Sequence, residues 1–407
     1  MQRTELHSEV TSKAPPPDQL SFMGFFRRTM GTENDVREFI SAIEQTGLID
    51  EIRPAIWMPD EPQISAFICR SSLCTDALGF GVSLSEDHAK LTALAECLER
   101  MALLAPLPTK RRMYDAHRND IDLFDLFHQR DKQLAHFCSW WPVTRCRTGQ
   151  RHQIPAQFLL LGHMQETRLL HIRNSSGTAF GKKGTGHALR TAKLELVERY
   201  FVEATFYEAD DWRPIKDFPE SLNKLIQNFQ DCGLKPHIFD IPSNLDVSVI
   251  MVLLVDQQNR CVALTAGSAA SFDLYPAIEK ALIESAQSRS SRRAWLSSYD
   301  ERAPNSIQLD TTLARAKYWA DSKSPGLLRL DEKIGKPVAY QDAVQNTRLS
   351  SSEKEKLLDD RLDFFVADIT PPALAKYGFE VLRVYEKSLV LNPNLRRAEE
   401  TLPSPFV

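Results

Sequence analysis

Alanine and acidic residues recur at one helical spacing in three parts of the chain. The first copy is Ala89, Ala93, Glu96 and Glu99. The later copies are Ala188, Ala192, Glu195 and Glu198, and then Ala277, Ala281, Glu284 and Gln287. At about 100° per residue, the four positions of a copy fall within about 120° of arc on a helix. We therefore predict three helices, each with small side chains and then two oxygen-bearing side chains on the same face.

Hydrophobic periodicity also predicts the elements around these helices. The predicted helices are 34–47, 86–104, 186–208, 218–231, 276–297, 309–323, 352–361 and 371–377. The predicted strands are 63–69, 153–161, 168–173 and the runs HIFDI, VSVIMVLLVD, CVALTAG, FFVAD and EVLRVYE. Glycine-rich segments precede the three Ala/Glu helices, and we interpret them as turns that open each helix. The mixture predicts an α+β fold, with α/β as the alternative, and an internal approximate threefold repeat of strand, glycine turn and Glu-bearing helix.

Composition narrows the class of protein. The 407 residues carry a net charge of −4 and a pI near 6.2, which argues against nucleic acid as the main partner. The polar N-terminus is unlike a signal peptide, and no apolar run is long enough to span a membrane. Seven cysteines form no C-x-x-C pair, as expected of reduced thiols in a cytoplasmic protein.

The domain organisation follows from the same patterns. Residues 1–20 contain three consecutive prolines and are expected to be a disordered leader. We predict one catalytic domain over residues 21–390. Residues 391–407 are expected to form a C-terminal tail that reaches the active site.

The acidic helix faces point to metal chemistry. The five carboxylates would repel one another if they were gathered at one place beside the amide of Gln287, so a cation is expected between them. A hard divalent metal suits ligands that are all oxygens. A single E-x-x-E-R is typical of a solvated helix surface, but three copies in register, each after paired alanines, favour a functional site. The segment GKKGTG does not fit a P-loop, although Lys182 and Lys183 precede a helix start that favours phosphate.

Several segments resemble the YcaO family. They are LSFMGFFRRTMG, ALAECLERMALL, NSSGTAFGKKGTGHALRTAKLELVERYFVEATF, AIEKALIESAQSR and DITPPALAKYGFEVLRVYEKSLVL. The resemblance implies the YcaO fold and an ATP- and Mg²⁺-dependent enzyme that O-phosphorylates peptide backbone amides. With Cys, Ser or Thr of a ribosomal precursor peptide as nucleophile, the product would be a thiazoline or an oxazoline.

The resemblance also implies roles for particular residues. Metal ligands would be Glu96, Glu99, Glu195, Glu198, Glu284 and Gln287. The nucleotide would be contacted by Ser176, Gly177, Gly181, Lys182 and Arg289, together with Glu99 and Glu198. Catalytic roles would fall to Arg100 and Arg199, and in the tail to Pro405 and Val407. The tail LPSPFV departs from the PxPxP ending that is common among cyclodehydratases of the family.

Partners and alternatives follow from the same resemblance. No leader-binding or E1-like domain is fused to the core, so a separate partner protein is expected to deliver the peptide. A flavin dehydrogenase in the same complex and a homodimer are further expectations, whereas no nucleic acid or membrane partner is expected. The alternatives are a thioamide- or amidine-forming enzyme that uses another nucleophile, and a degenerate scaffold subunit.

Overall fold

A computed structural model of the chain describes residues 33–104, 140–156, 159, 177–207, 212–258, 260, 262–298, 317–320, 333–344 and 349–389. The predicted leader 1–20 and tail 391–407 lie outside these ranges. So do the predicted strand 168–173 and most of the predicted helix 309–323.

Strands and helices are mixed along the chain, which confirms the α+β class. The strands are β1 (Ile49–Pro54), β2 (Ser65–Ser71), β3 (Leu78–Ser83), β4 (Trp140–Arg145), β5 (Arg151–Pro155), β6 (Gly177–Lys182), β7 (Arg213–Lys216), β8 (Leu234–Ile241), β9 (Ser248–Asp256), β10 (Leu264–Ser271), β11 (Val338–Ala339), β12 (Phe365–Asp368) and β13 (Phe379–Tyr385). The helices are α1 (Glu33–Glu44), α2 (Glu86–Leu104), α3 (His187–Tyr207), α4 (Glu220–Asp231), α5 (Leu274–Ser298), α6 (Tyr340–Ala343), α7 (Ser351–Arg361) and α8 (Pro372–Ala375).

The described strands form three sheets. The first is antiparallel with the order β1-β2-β3. The second has the order β10-β9-β8-β7-β11, and its short strand β11 runs parallel to β7. The third is antiparallel with the order β5-β4-β12-β13-β6. Strands β3, β6 and β10 therefore each lie at the edge of their sheet, and each is followed directly by one of the long helices α2, α3 and α5.

The paired alanines lie where these helices press on their strands. All six alanines of the repeated spacing are fully buried, at 0% exposure. A Cβ atom built on Gly177 would lie 1.7 Å from the carbonyl oxygen of Ala192, and one on Gly267 would lie 2.2 Å from that of Ala281. Such distances are far inside van der Waals contact. The helix backbone thus rests directly on the strand, which only glycine opposite a small residue permits.

This packing corrects the interpretation of the glycine-rich segments as turns. The sequence GFGVS is strand β3, and GTAFGK is strand β6, so their glycines lie inside strands. A turn does occur after β6, where Gly184 and Gly186 have φ angles of 79° and 73°. The glycine–alanine contact between strand and helix thus occurs in all three places, while the internal approximate threefold repeat stays a prediction.

Buried apolar side chains fill the spaces between the sheets and these helices. One cluster lies between the first sheet, α1 and α2, and includes Ile43, Leu94 and Leu98. Two others pack around the second and third sheets with α3 and α5. Among the described residues, no helix is both long enough and apolar enough to cross a membrane.

The close contact at Gly177 predicts a large effect of one methyl group. We expect Gly177→Ala to lower the free energy of unfolding by about 3 kcal/mol, because α3 must move to admit the new Cβ atom. The change should appear as a lower midpoint in urea denaturation followed by circular dichroism.

Gly181→Ala on the same strand is the matched control. A Cβ atom at Gly181 would meet the Cβ of Ala188 at 3.3 Å, a contact that a shift of a few tenths of an ångström relieves. Its loss should be under about 1 kcal/mol. Equal losses in the two variants would contradict the close-packing interpretation.

Candidate active site

The three Ala/Glu helices bring their oxygen-bearing side chains to one cavity of about 1240 Å³. The side chains of the repeated spacing that line it are Glu96 and Glu99 of α2, Glu195 and Glu198 of α3, and Glu284 and Gln287 of α5. Glu203, further along α3, lines it as well. Because each helix lies on an edge strand, the edges of β3, β6 and β10 also face this space. The cavity is thus a meeting point of three strand–helix units.

In each of α2 and α3, the first glutamate of the cavity pair accepts a hydrogen bond from the edge of the strand in its own unit. Glu96 accepts a hydrogen bond of 2.6 Å from the backbone N–H of Phe80 in β3. Glu195 accepts one of 2.8 Å from the N–H of Thr178 in β6. An edge strand has unpaired N–H groups, and a carboxylate that accepts from one is held in a fixed direction.

The second acidic residue of each pair reaches the strand of the next unit. Glu99 of α2 accepts a hydrogen bond of 2.8 Å from the N–H of Phe180 in β6. Glu198 of α3 accepts from the hydroxyl of Ser268 at 2.6 Å and from the N–H of Ala270 at 3.2 Å, both in β10. These bonds join the first unit to the second and the second to the third.

Gln287 closes this ring of contacts. Its Nε2 donates a hydrogen bond of 2.8 Å to the carbonyl oxygen of Phe80 in β3, so the third unit contacts the first. Because a carbonyl oxygen can only accept, the amide nitrogen must be the atom that faces Phe80. The amide oxygen of Gln287 is then the atom left to act as a ligand in the cavity.

Basic side chains partly balance the carboxylates. Arg100 pairs with Glu96 at 2.5 Å, Arg199 with Glu195 at 2.5 Å, and Lys280 with Glu284 at 3.4 Å and Glu198 at 3.9 Å. Both arginines are largely exposed, so their ion pairs are weak and their guanidinium groups can turn towards another anion. Lys280 escaped notice in the sequence, because a lysine four residues before a glutamate is also typical of a helix surface.

Glu99 shows how strongly the acidic groups act on one another. Burial and the charges of Glu195 and Glu96 together raise its pKa to about 8. The hydrogen bond from Phe180 opposes this shift but does not cancel it. A carboxyl group with this pKa retains a proton at neutral pH unless a cation replaces it.

Glu284 responds in the same way from the opposite side of the cavity. Burial and the charges of Glu198 and Glu195 raise its pKa to about 7, although the charge of Lys280 opposes this shift. The groups that perturb Glu284 come from helix α3 as well as from its own helix. Carboxylates from different helices therefore lie within electrostatic reach of one another.

Arg383 is a residue that the sequence did not single out. It lies on β13, is 5% exposed, and donates a hydrogen bond of 2.8 Å from Nη1 to the hydroxyl of Thr178. Burial and the neighbouring Arg199 lower its pKa to about 9, while Glu195 and Glu99 raise it. Its positive charge thus lies behind the carboxylates. In the sequence it appears only as one polar residue in an alternating strand.

The structure places the other predicted residues differently. Gly177 and Gly181 support helix α3 with their backbone, and the cavity wall is formed by the residues between them. Lys182 is exposed at the end of β6. Ser176, Pro405 and Val407 lie outside the described residues.

Arg289 is not brought to the cavity. It is 1% exposed and forms ion pairs with Glu61 at 3.1 Å and Asp256 at 2.8 Å. Its Nη1 also donates to the carbonyl oxygen of Val262 at 2.7 Å. These contacts fasten α5 to β9 and to the loop before β2, so the guanidinium has a structural role in this arrangement.

The donor set fits Mg²⁺ that is shared with a polyphosphate. Within the described part of the chain, no three acidic, histidine or cysteine side chains are grouped so as to hold a metal ion by themselves. Mg²⁺ usually takes one or two carboxylates and completes its shell with phosphate oxygens and water. Pairs of carboxylates around an open cavity match this requirement, whereas a closed all-protein site would not need the open space.

Solved structures with this fold are known. YcaO from Methanopyrus kandleri, bound with AMPPCP and Mg²⁺, aligns with a TM-score of 0.64 at 18% identity, over 86% of this chain and 90% of that one. A heterocyclase in complex with substrate and cofactor aligns at 0.64 and 15% identity, over 86% of this chain and 52% of that one. A chain of the E. coli microcin synthetase McbBCD complex aligns at 0.60 and 13% identity, over 84% of this chain and 87% of that one.

Sequence comparison identifies the family. No curated protein matches the chain. Residues 80–385, which include the helices α2, α3 and α5, match the family model described as YcaO cyclodehydratase, ATP- and Mg²⁺-binding. The chain therefore belongs to the YcaO family and is an ATP-dependent enzyme whose cofactors are ATP and Mg²⁺.

Proposed function

We propose that this chain is the catalytic subunit of an azoline-forming cyclodehydratase. It would use ATP to activate backbone amides of a ribosomal precursor peptide and close Cys, Ser or Thr side chains to thiazolines or oxazolines. The observation that carries the proposal is the convergence of six oxygen-bearing side chains from three helices on one cavity. All three pairs keep their ligand oxygens, which argues against a degenerate scaffold.

The reaction balances without an external oxidant or reductant. The side-chain sulfur or oxygen of the peptide loses its proton and attacks the preceding amide carbonyl, and the γ-phosphoryl group of ATP would pass to the carbonyl oxygen. The carbon–oxygen bond then breaks, phosphate leaves, and the amide nitrogen loses its proton as the C=N bond forms. The peptide loses one water, which appears in the products as the conversion of ATP to ADP and phosphate.

The cavity residues would serve this reaction by position and charge. Bound Mg²⁺ neutralises phosphate charge, and the paired carboxylates with Gln287 would hold it. Arg100 and Arg199 each pair with one carboxylate through exposed guanidinium groups, so they can turn to the phosphates. The N–H groups of β3, β6 and β10 hold the carboxylates in their directions before any ligand enters.

A separate partner protein would deliver the peptide. The E. coli chain that shares this fold was solved within the McbBCD complex, and the heterocyclase was solved with its substrate. The present chain spans about half of that heterocyclase. We propose that a separate leader-peptide-binding protein presents the peptide to this chain.

The mass of the modified peptide tests the proposed product. We expect co-expression with the precursor peptide and partner encoded beside this gene to give a peptide that has lost one water for each modified Cys, Ser or Thr. The measurement is intact and tandem mass spectrometry. An exchange of oxygen for sulfur would instead indicate a thioamide, and either that result or an unmodified peptide would contradict the azoline proposal.

Replacement of one cavity carboxylate tests the proposed metal–nucleotide site. We expect Glu99→Gln to weaken binding of Mg²⁺–AMPPCP by about 10²-fold, because a buried charge that faces the metal is lost. Isothermal titration calorimetry measures the affinity. Glu86→Gln on the same helix is the matched control, since Glu86 is exposed and forms an ion pair with Lys90 outside the cavity. A loss of affinity in both variants, or in neither, would contradict the assignment.

The raised pKa of Glu99 predicts that protons and Mg²⁺ compete. When the pH lies below the pKa of about 8, the carboxyl of Glu99 holds a proton that the metal must displace. The affinity for Mg²⁺–AMPPCP should therefore rise as the pH increases from about 6.5 to about 8.5. Calorimetry in buffers with different ionisation enthalpies should show proton release at neutral pH. Glu99→Gln should release fewer protons, and unchanged release in that variant would assign the proton to another group.

A further inference from the structure

One wall of the cavity is apolar. Strand β3 has the sequence LGFGVS, and its glycines face helix α2 while Leu78, Phe80 and Val82 line the cavity. Leu78 is 44% exposed, Phe80 is half-buried and Val82 is buried. Because side chains alternate along a strand, the large side chains at every second position of β3 point towards the space where the reaction would occur.

This wall adjoins the ligand oxygens. The backbone N–H of Phe80 donates to Glu96, and its carbonyl oxygen accepts from Gln287. A molecule in contact with the Phe80 side chain is therefore next to two of the predicted metal ligands. The apolar wall and the carboxylates are parts of one continuous site.

Helix α5 forms the opposite side of a groove along β3. Ile283 packs with Val82 in a small apolar cluster, and Gln287 contacts Phe80. A step of four residues along α5 therefore matches a step of two residues along β3. Both steps measure about 6–7 Å. By this register Leu78 lies opposite the following turn, and Trp295 is one turn further along the cavity wall. The groove from Ile283 to Trp295 is about 18 Å long.

The dimensions suit an extended peptide beside the nucleotide. About five extended residues span 18 Å. The cavity of about 1240 Å³ exceeds the roughly 300–1,000 Å³ of a pocket for one small ligand. The metal and the phosphates of the nucleotide suit the carboxylate side, and its single adenine ring is much shorter than an apolar wall of about 18 Å. The apolar side is therefore available to a second, less charged ligand.

We propose that this apolar groove, which has Leu78, Phe80 and Trp295 on its cavity side and is closed at one end by the buried pair Val82 and Ile283, binds the substrate peptide in extended form and selects an apolar side chain next to the residue that is modified. The inference rests on the proposed function for the identity of the occupant. It adds a specificity determinant that lies outside the acidic pairs.

Short peptides test the groove without turnover. The probes are capped pentapeptides with a central cysteine, carrying leucine or aspartate at the residue before or after it, added to the full chain with Mg²⁺ and AMPPCP. We expect at least one leucine peptide to bind about tenfold more tightly than its aspartate counterpart, as measured by saturation-transfer NMR titration. Leu78→Ser should reduce this preference to within about twofold.

Leu73→Ser is the matched control. Leu73 is 62% exposed beside the same sheet but does not line the cavity, so its replacement should leave the preference unchanged. Absence of a leucine preference in the unaltered chain, or its persistence in Leu78→Ser, would overturn the inference and leave Leu78 to another occupant such as a partner protein. Because the assay needs no catalysis, water loss without leucine preference would overturn the groove alone. Leucine preference without water loss would overturn the proposed chemistry alone.

Discussion

Repulsion among carboxylates gathered in one cavity is the constraint on which this structure depends. Six acidic side chains face the same space, five of them from the Ala/Glu spacing, and burial together with mutual charge raises the pKa of Glu99 and Glu284. Two kinds of partner offset this repulsion. Unpaired N–H groups of edge strands hold individual oxygens, and basic side chains, including the buried Arg383, supply opposite charge. A cation can replace the protons that Glu99 and Glu284 retain, which makes the cavity suitable for Mg²⁺.

Close packing makes this use of strand edges possible. A carboxylate can reach the N–H of a strand only if its helix lies almost in contact with that strand. The glycine–alanine contacts, such as Gly177 with Ala192, bring the two backbones to that distance. The alanines of the repeated spacing and the acidic residues that follow them therefore serve one purpose, since the first set the distance and the second use it.

Much of the site could be predicted from periodicity, because helix geometry places residues seven and ten positions after an alanine on its face. Helix Glu86–Leu104 was predicted with its correct ends. Strand β3 was not predicted because glycine is rare in strands. Its glycines are there because helix α2 lies against them, a tertiary contact that no local sequence pattern reveals. Arg289 was predicted at the nucleotide, but two residues after Gln287 is about 200° around the helix, so it faces away. The place of Arg383 beside the site could not be predicted, because it depends on the pairing of β13 with β6, two strands that are far apart in sequence.

The ring of contacts among the three units has a consequence for folding. Each unit provides a ligand that is oriented by the strand of the next, as Glu99 is by β6, Glu198 by β10 and Gln287 by β3. No unit can therefore present a complete pair of ligands until its neighbour has docked. Affinity for the metal should therefore arise in one cooperative step at the end of folding. A partly folded chain would then be unable to hydrolyse ATP.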